Sequence, residues 1–187
     1  MNGTLIVISG YSGVGKGTVI PLVLKKLKNT KKTVSCTTRE KRDGEKNGVN
    51  YYFITEDEFK EKIANNEFLE YTQTYTNYYG TLKSEIDDNL ANGKNMILEL
   101  NVVGALRIKE LYEDCLTIFI QPPSLGDLRK RLIGRGTESA ESLGKRLAEI
   151  EFERSQLHLY DFVVTNDEPE RCANEMIEII NDNIEEE

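Results

Sequence analysis

The chain has no tryptophan, one histidine, three cysteines and four prolines. Cys36, Cys115 and Cys172 are widely spaced and form no CxxC pair. That speaks against a zinc ribbon, a redox dithiol or a disulfide scaffold, and leaves ordinary thiols in a reducing compartment as the expectation. His158 has no Cys or His neighbour in sequence, which counts against a zinc site. Long apolar runs are also missing. No stretch approaches the ~20 residues needed to cross a bilayer. Met1-Asn2-Gly3-Thr4 lacks the charged n-region of a signal peptide. The expectation is a cytoplasmic protein with no membrane partner. Excess positive charge is the last absence. A formal net charge of −8 and a pI near 4.9 argue against a nucleic-acid partner. An anionic small substrate stays open if positive charge is concentrated locally. Arg39 with Arg42, and then Arg129, Arg131, Arg135 and Arg146, provide such concentrations.

What is present reads as α/β. At 187 residues the chain suits one α/β domain with small insertions. Apolar runs at Leu5–Ile8, Met96–Leu100, Leu116–Ile120 and Asp161–Val164 read as strands, the middle two as buried parallel ones. Helical patterns at Val19–Lys28, Leu82–Asn92, Val103–Tyr112 and Glu168–Ile184 alternate with them, and another runs from Ser139 or Ser142 to about Leu157. Strands alternating with helices imply a parallel sheet flanked by helices. Residues 33–81 break that alternation. Thr33–Cys36 and Tyr51–Ile54 are β-prone, and Phe68–Tyr79 reads as two strands around a turn at Thr76-Asn77. Glu56–Asn65 is helical, with Thr55 and Glu58 spaced as a capping box. The region looks like an inserted β-rich lobe.

The segment Gly10-Tyr11-Ser12-Gly13-Val14-Gly15-Lys16-Gly17-Thr18 lies between the first strand and the first helix. Strand, glycine loop, lysine and helix together form a phosphate-binding P-loop. The glycines let several backbone N–H groups converge on a phosphate. The helix N-terminus adds partial positive charge and Lys16 a full one. The position after the lysine, which commonly holds a metal-ligating hydroxyl, is Gly17, with Thr18 next. Pro21 falls inside the first helix, where it removes one backbone hydrogen bond and a kink is expected.

The inserted lobe carries Ser35-Cys36-Thr37-Thr38-Arg39-Glu40-Lys41-Arg42-Asp43-Gly44-Glu45, then Glu70, then Asn77-Tyr78-Tyr79-Gly80-Thr81. Farther on come Pro122-Pro123-Ser124, Gly134-Arg135-Gly136-Thr137-Glu138, Lys145-Arg146-Leu147 and Tyr160-Asp161 to Asn166-Asp167. In order and spacing these motifs resemble the guanylate kinase family over essentially the whole chain.

The resemblance implies a P-loop NTPase fold with three parts: a core over 1–32 and 82–187, a GMP-binding lobe over 33–81, and a mobile lid near 134–145. It implies transfer of a phosphoryl group from ATP to GMP, with Mg²⁺ and with dGMP as a further acceptor to test. A monomer and a small homo-oligomer are both compatible with it. By position, residues 10–18 and Asn166 would bind ATP. Ser35, Arg39, Arg42, Tyr51 and Tyr79 would hold the GMP phosphate, while Glu70, Thr81 and Asn101 would read guanine. Lys16, Arg39, Arg131, Arg135 and Arg146 would neutralise the transferring group. Thr18 or Glu99 would face the metal, directly or through water.

The residue chemistry agrees with these roles. Phosphoryl transfer needs positioning and charge neutralisation more than proton transfer. The acceptor phosphate is already an anion, so a chain without a usable histidine suffices. Arginine keeps its charge and grips phosphate oxygens in bidentate fashion. A carboxylate at Glu70 can accept from both N1–H and N2–H₂ of guanine. Adjacent residues of a strand face opposite ways, so one of Tyr78 and Tyr79 should be a core aromatic.

Two departures stand out. Where the family reads acidic-x-Asp-x-Gln-Gly, this chain has Glu99-Leu100-Asn101-Val102-Val103-Gly104. Asn101 and Val103 leave room for a related P-loop kinase with another phosphorylated acceptor. A non-catalytic phosphoprotein-binding scaffold is the more distant alternative, since it would not need Lys16.

Overall fold

The computed structural model describes residues 3–74, 76–128 and 149–184. The apolar run at the start of the chain forms β1, Leu5–Gly10, in which every residue is buried. Such a strand needs neighbours on both edges and cover on both faces. The neighbours are β7, Asn95–Glu99, and β8, Leu116–Gln121, both parallel to β1. Outside them lie β2, Thr30–Lys32, and β9, Phe162–Thr165, giving the order β2-β7-β1-β8-β9. All four pairings are parallel, so the C-terminal ends of these strands share one edge of the sheet. Ligands of open α/β sheets bind at that edge.

Helix α1, Lys16–Lys26, packs beside α5, Pro169–Asn183. Their apolar faces supply Val19, Ile20 and Val23 from one helix and Cys172, Ala173, Met176 and Ile180 from the other. Helices α3, Lys83–Ala91, and α4, Val102–Leu111, add Ile86, Val102, Ala105 and Ile108 to the same core. Residues 149–155 are also helical, and a short 3₁₀ turn spans Leu157–Leu159. The α1 helix runs unbroken through Pro21. That residue sits one turn after Gly17, and both are exposed, so water can reach the carbonyl that loses its bond.

A second sheet contains β3, Cys36–Thr37, β4, Tyr52–Phe53, β5, Phe68–Thr74, and β6, Asn77–Leu82, in the order β4-β3-β6-β5. It covers α2, Glu56–Ala64, whose capping box closes between Thr55 and Glu58. Cys36, Phe59 and Phe68 form its own small core, with Tyr78 packed against them. Phe59 stacks on Phe68 at 4.3 Å and on Tyr78 at 5.3 Å between ring centroids. The expected strand at Thr33–Cys36 is divided instead. The chain pairs with β7 through Lys32, bonds once more through Thr33, then crosses to the second sheet at Cys36. The crossing residues bond in turn to each sheet, Thr33 N–H donating to the Ile97 carbonyl and the Ser35 carbonyl accepting from Tyr52 N–H at 2.9 Å.

Lys109, Thr117 and Asp161 tie α4, β8 and the approach to β9 together. Lys109 donates to Asp161 Oδ1 at 2.6 Å, while Thr117 N–H and O–H donate to Asp161 Oδ2 at 2.8 and 2.6 Å. Among the described residues no helix is long and apolar enough to cross a membrane.

The second core is small and rests on one ring. Phe59→Ala should destabilise the protein by about 3–5 kcal/mol, measured by urea unfolding. Amide-exchange protection should fall first in β3, β5 and β6. Unchanged protection in those strands would show that they do not depend on Phe59.

Candidate functional site

The loop after β1 is shaped by close approach. A Cβ on Gly10 would lie 2.4 Å from the Ile120 carbonyl oxygen, and one on Gly15 would lie 2.6 Å from Asn166 Nδ2. Both glycines also have positive φ, 152° and 106°. Gly15 is the N-cap of α1, so the free amides of the first helical turn face the loop. Tyr11 and Val14 turn inward. Tyr11 is buried with its ring edge-on to Phe119 at 5.0 Å, and Val14 is fully buried. These side chains anchor the loop, leaving its backbone for a ligand. Asn166 Nδ2 donates to the Val14 carbonyl at 2.8 Å, which makes Asn166 a brace for the loop.

Lys16 curls over the same loop. Its Nζ donates to the carbonyls of Gly10 at 2.6 Å and Tyr11 at 3.3 Å. Burial lowers its pKa, and the carboxylates of Glu99 and Glu153 oppose that shift. Gly17 and Thr18 are exposed at the start of the helix.

Across the cleft, β5 and β6 present Glu70 and Thr81. Both are buried, and Thr81 Oγ1 donates to Glu70 Oε1 at 2.9 Å. Ser35 Oγ lies 3.3 Å from Thr81 Oγ1, so the three form a chain of polar groups. A register irregularity between Phe68 and Glu70 allows three consecutive residues to be buried in different surroundings. Phe68 enters the small core and Leu69 the large one, while Glu70 lines the cleft. Burial raises the Glu70 pKa, against hydrogen bonds from Thr81 and the charge of Arg107.

Asn101 caps α4, its Oδ1 accepting from Gly104 N–H at 2.8 Å. A Cβ on Gly104 would stand 3.2 Å from Glu70 Oε2 and 3.3 Å from Asn101 Oδ1. Glycine there makes room for both polar groups.

Tyr51 and Tyr79 line the cleft with ring centroids 6.0 Å apart. Tyr78 packs on Phe59 instead, so the two adjacent tyrosines divide between cleft and core as strand geometry requires. Arg39 lies over the rings of Tyr51 and Phe53, 5.6 and 5.7 Å from their centroids. Its guanidinium grips Glu45 through contacts of 2.8 to 3.1 Å. Arg42 is exposed, and its backbone N–H also donates to Glu45.

These two walls border one cleft of about 610 Å³. Its charged lining, among the described residues, is Lys16 against Glu70, Glu99, Glu149 and Glu153. Burial pushes the Glu153 carboxyl up to about 7, Lys16 opposing and Glu149 adding to the shift. Lys16 is the one cation among the described residues that line this cleft, so an anionic ligand would gain from added positive charge. No group of three or more His, Cys, Asp or Glu that could hold a metal occurs among the described residues.

The chain matches the sequence model of the family described as guanylate kinase over residues 2–183. The chain belongs to the guanylate kinase family. A guanylate kinase of Symbiobacterium thermophilum is 45% identical over 95% of this chain and 84% of its own length. One from Clostridium perfringens is 46% identical over 95% of this chain and 82% of its own. The crystal structure of guanylate kinase from Anaplasma phagocytophilum superposes with a TM-score of 0.81 at 32% identity, covering 97% of this chain and 86% of that one. Shikimate kinase from Bacteroides thetaiotaomicron shares the fold alone, at a TM-score of 0.52 and 12% identity over 95% of this chain and 98% of that one.

Family membership agrees with the resemblance read from the motifs. Arg131, Arg135 and Arg146, with the expected lid at 134–145, lie outside the described residues. Sequence reasoning missed Lys32, Gly104, Glu149 and Glu153. Glu149 and Glu153 are four apart on a helix, a spacing that places them on one face. Lys32 carried no local signal, because its partner Glu99 is 67 residues away.

The Thr81 hydroxyl holds the Glu70 pKa down. Thr81→Val should therefore raise it further, as followed by carboxyl ¹³C NMR titration. An unchanged titration would show that the Thr81 hydroxyl does not help set the acidity of Glu70.

Proposed function

We propose that the protein transfers the terminal phosphoryl group of ATP to GMP, yielding ADP and GDP. The observation that carries this reading is one cleft lined on one side by Lys16 of the phosphate loop and on the other by Glu70. A donor phosphate cradle and a buried carboxylate for reading a purine edge then face a common volume. We assign the core to 1–32 and 82–187 and the acceptor lobe to 33–81.

In this reading the ATP phosphates lie on the amides of residues 10–18, with Lys16 leaving its carbonyl partners for the phosphates. Asn166 keeps the loop in shape. The GMP phosphate takes Ser35, Tyr51, Tyr79, Arg39 and Arg42. It competes with Glu45 for the Arg39 guanidinium, which its aromatic neighbours already orient. Glu70 accepts from N1–H and N2–H₂ of guanine, and Thr81 fixes the carboxylate. Thr81 provides a further hydroxyl beside the base. The bound acceptor phosphate is its own nucleophile, so the site needs alignment and charge rather than a general base.

Arg131, Arg135 and Arg146 are assigned to the charge around the transferring group. Mg²⁺ would supply Lewis-acid neutralisation of the ATP phosphates when bound. The donor set suits it, because Mg²⁺ takes one or two carboxylates and completes its shell with phosphate and water. Glu99 offers the carboxylate and Thr18 a hydroxyl.

Asn101 is where acceptor choice is weakest. Its Oδ1 already accepts the capping bond from Gly104. A neutral amide also offers the guanine amino group less than a carboxylate would.

ADP release should be measured with ATP and Mg²⁺ in the presence of GMP, dGMP, AMP, CMP or UMP. Stimulation by GMP is expected, and its absence would overturn the reading. Lys16→Met should cut turnover by at least about a hundredfold while circular dichroism stays unchanged. Asn101→Asp should lower the KM for GMP severalfold and leave the KM for ATP alone. Identical GMP kinetics in that variant would exclude the contact between Asn101 and the base.

A further inference from the structure

Strands β2, β7 and β1 are adjacent and parallel, so their C-terminal ends point to the same sheet edge, Lys32 standing opposite Ile97 and two residues short of Glu99. Lys32 ends β2 and Glu99 ends β7. Lys32 Nζ donates to Glu99 Oε2 at 2.6 Å, and Glu99 lines the cleft. Both side chains are partly exposed, 38% for Lys32 and 25% for Glu99, so the pair can open without unfolding anything. Lys32 reaches the cleft lining only through Glu99; the cation that lines it among the described residues is Lys16, which is engaged with loop carbonyls.

An ammonium and a hard divalent cation want the same thing from a carboxylate, an oxygen lone pair and its negative charge. They also repel each other. No group of three or more acidic, His or Cys side chains among the described residues could hold a metal unaided. A cation arriving with nucleotide phosphates would draw on single carboxylates rather than a preformed cluster, and Glu99 is held by Lys32.

We infer that Lys32 is a residue acting through Glu99, competing with the nucleotide-bound divalent cation for that carboxylate. This rests on the phosphoryl-transfer reading above. Lys32 masks the acid while the cleft is empty, which also lessens repulsion of incoming phosphates. It raises the metal concentration needed to complete the site.

The test uses the full chain as wild type, Lys32→Met, Lys32→Arg, Glu99→Gln and the Lys32→Met/Glu99→Gln double variant. Binding of Mn²⁺ to the enzyme with a non-hydrolysable ATP analogue is followed by the electron paramagnetic resonance of free Mn²⁺. Half-saturating Mn²⁺ should fall about two- to fivefold in Lys32→Met, the range open to a partly exposed ion pair. Lys32→Arg keeps the cation and should stay near wild type. In the Glu99→Gln background the Lys32 substitution should have no effect. An unchanged or raised half-saturation in Lys32→Met would overturn the inference. So would an equal shift in Lys32→Arg, or an equal shift without Glu99. The Mg²⁺ dependence of GMP-stimulated ADP release should move the same way. If GMP fails to stimulate the wild type while the Mn²⁺ shift appears, the proposed reaction falls and the competition at Glu99 stands.

Discussion

The site depends on how β1 ends. This strand is held on both edges and buried on both faces, so it has no freedom to adjust. Its last residue stands so near the Ile120 carbonyl that only glycine fits. The chain must then turn sharply into α1, and it does so with two inward-facing anchors, Tyr11 and Val14, and a brace from Asn166. The rigid sheet converts a flexible glycine sequence into a fixed cradle. Without that constraint, the same glycines would carry a large entropy cost on binding phosphate.

The cleft is arranged around a shortage of positive charge. Its described walls carry more glutamates than lysines, and its best cations are already engaged. Arg39 is held by Glu45, Lys32 by Glu99, and Lys16 by loop carbonyls. The two ion pairs keep long side chains in place at modest cost, since such pairs are weak and can exchange partners, while Lys16 donates to neutral carbonyls. In the proposed reaction phosphates would compete for Arg39 and Lys16 on favourable terms, because they carry more charge than the groups they would displace. The acidic surplus that remains gives a divalent cation and further arginines a task in the proposed reaction.

Much of this was legible in advance. The buried strands of the first sheet announce themselves as unbroken apolar runs, and the phosphate loop by glycines and a lysine between strand and helix. The Thr55–Glu58 box marked the start of α2. Less legible was the path from Lys32 to Cys36. Its β-prone residues suggested one strand, whereas the chain there changes sheets. Propensity registers that a residue suits a pleated surface, not which sheet claims it. Gly104 was similarly silent, because its role is the space it leaves between Glu70 and Asn101.

Sequence by itself determined the parallel α/β class, the phosphate loop and the family. Those features are local in chain order or fixed by residue type. The tertiary structure decided which groups face one another. It decided that Tyr79 lines the cleft and Tyr78 does not, that Asn101 is a helix cap as well as a cleft residue, and that Lys32 covers Glu99. These are contacts between elements distant in sequence, set by strand register and by how two separate cores pack. No short-range pattern encodes them.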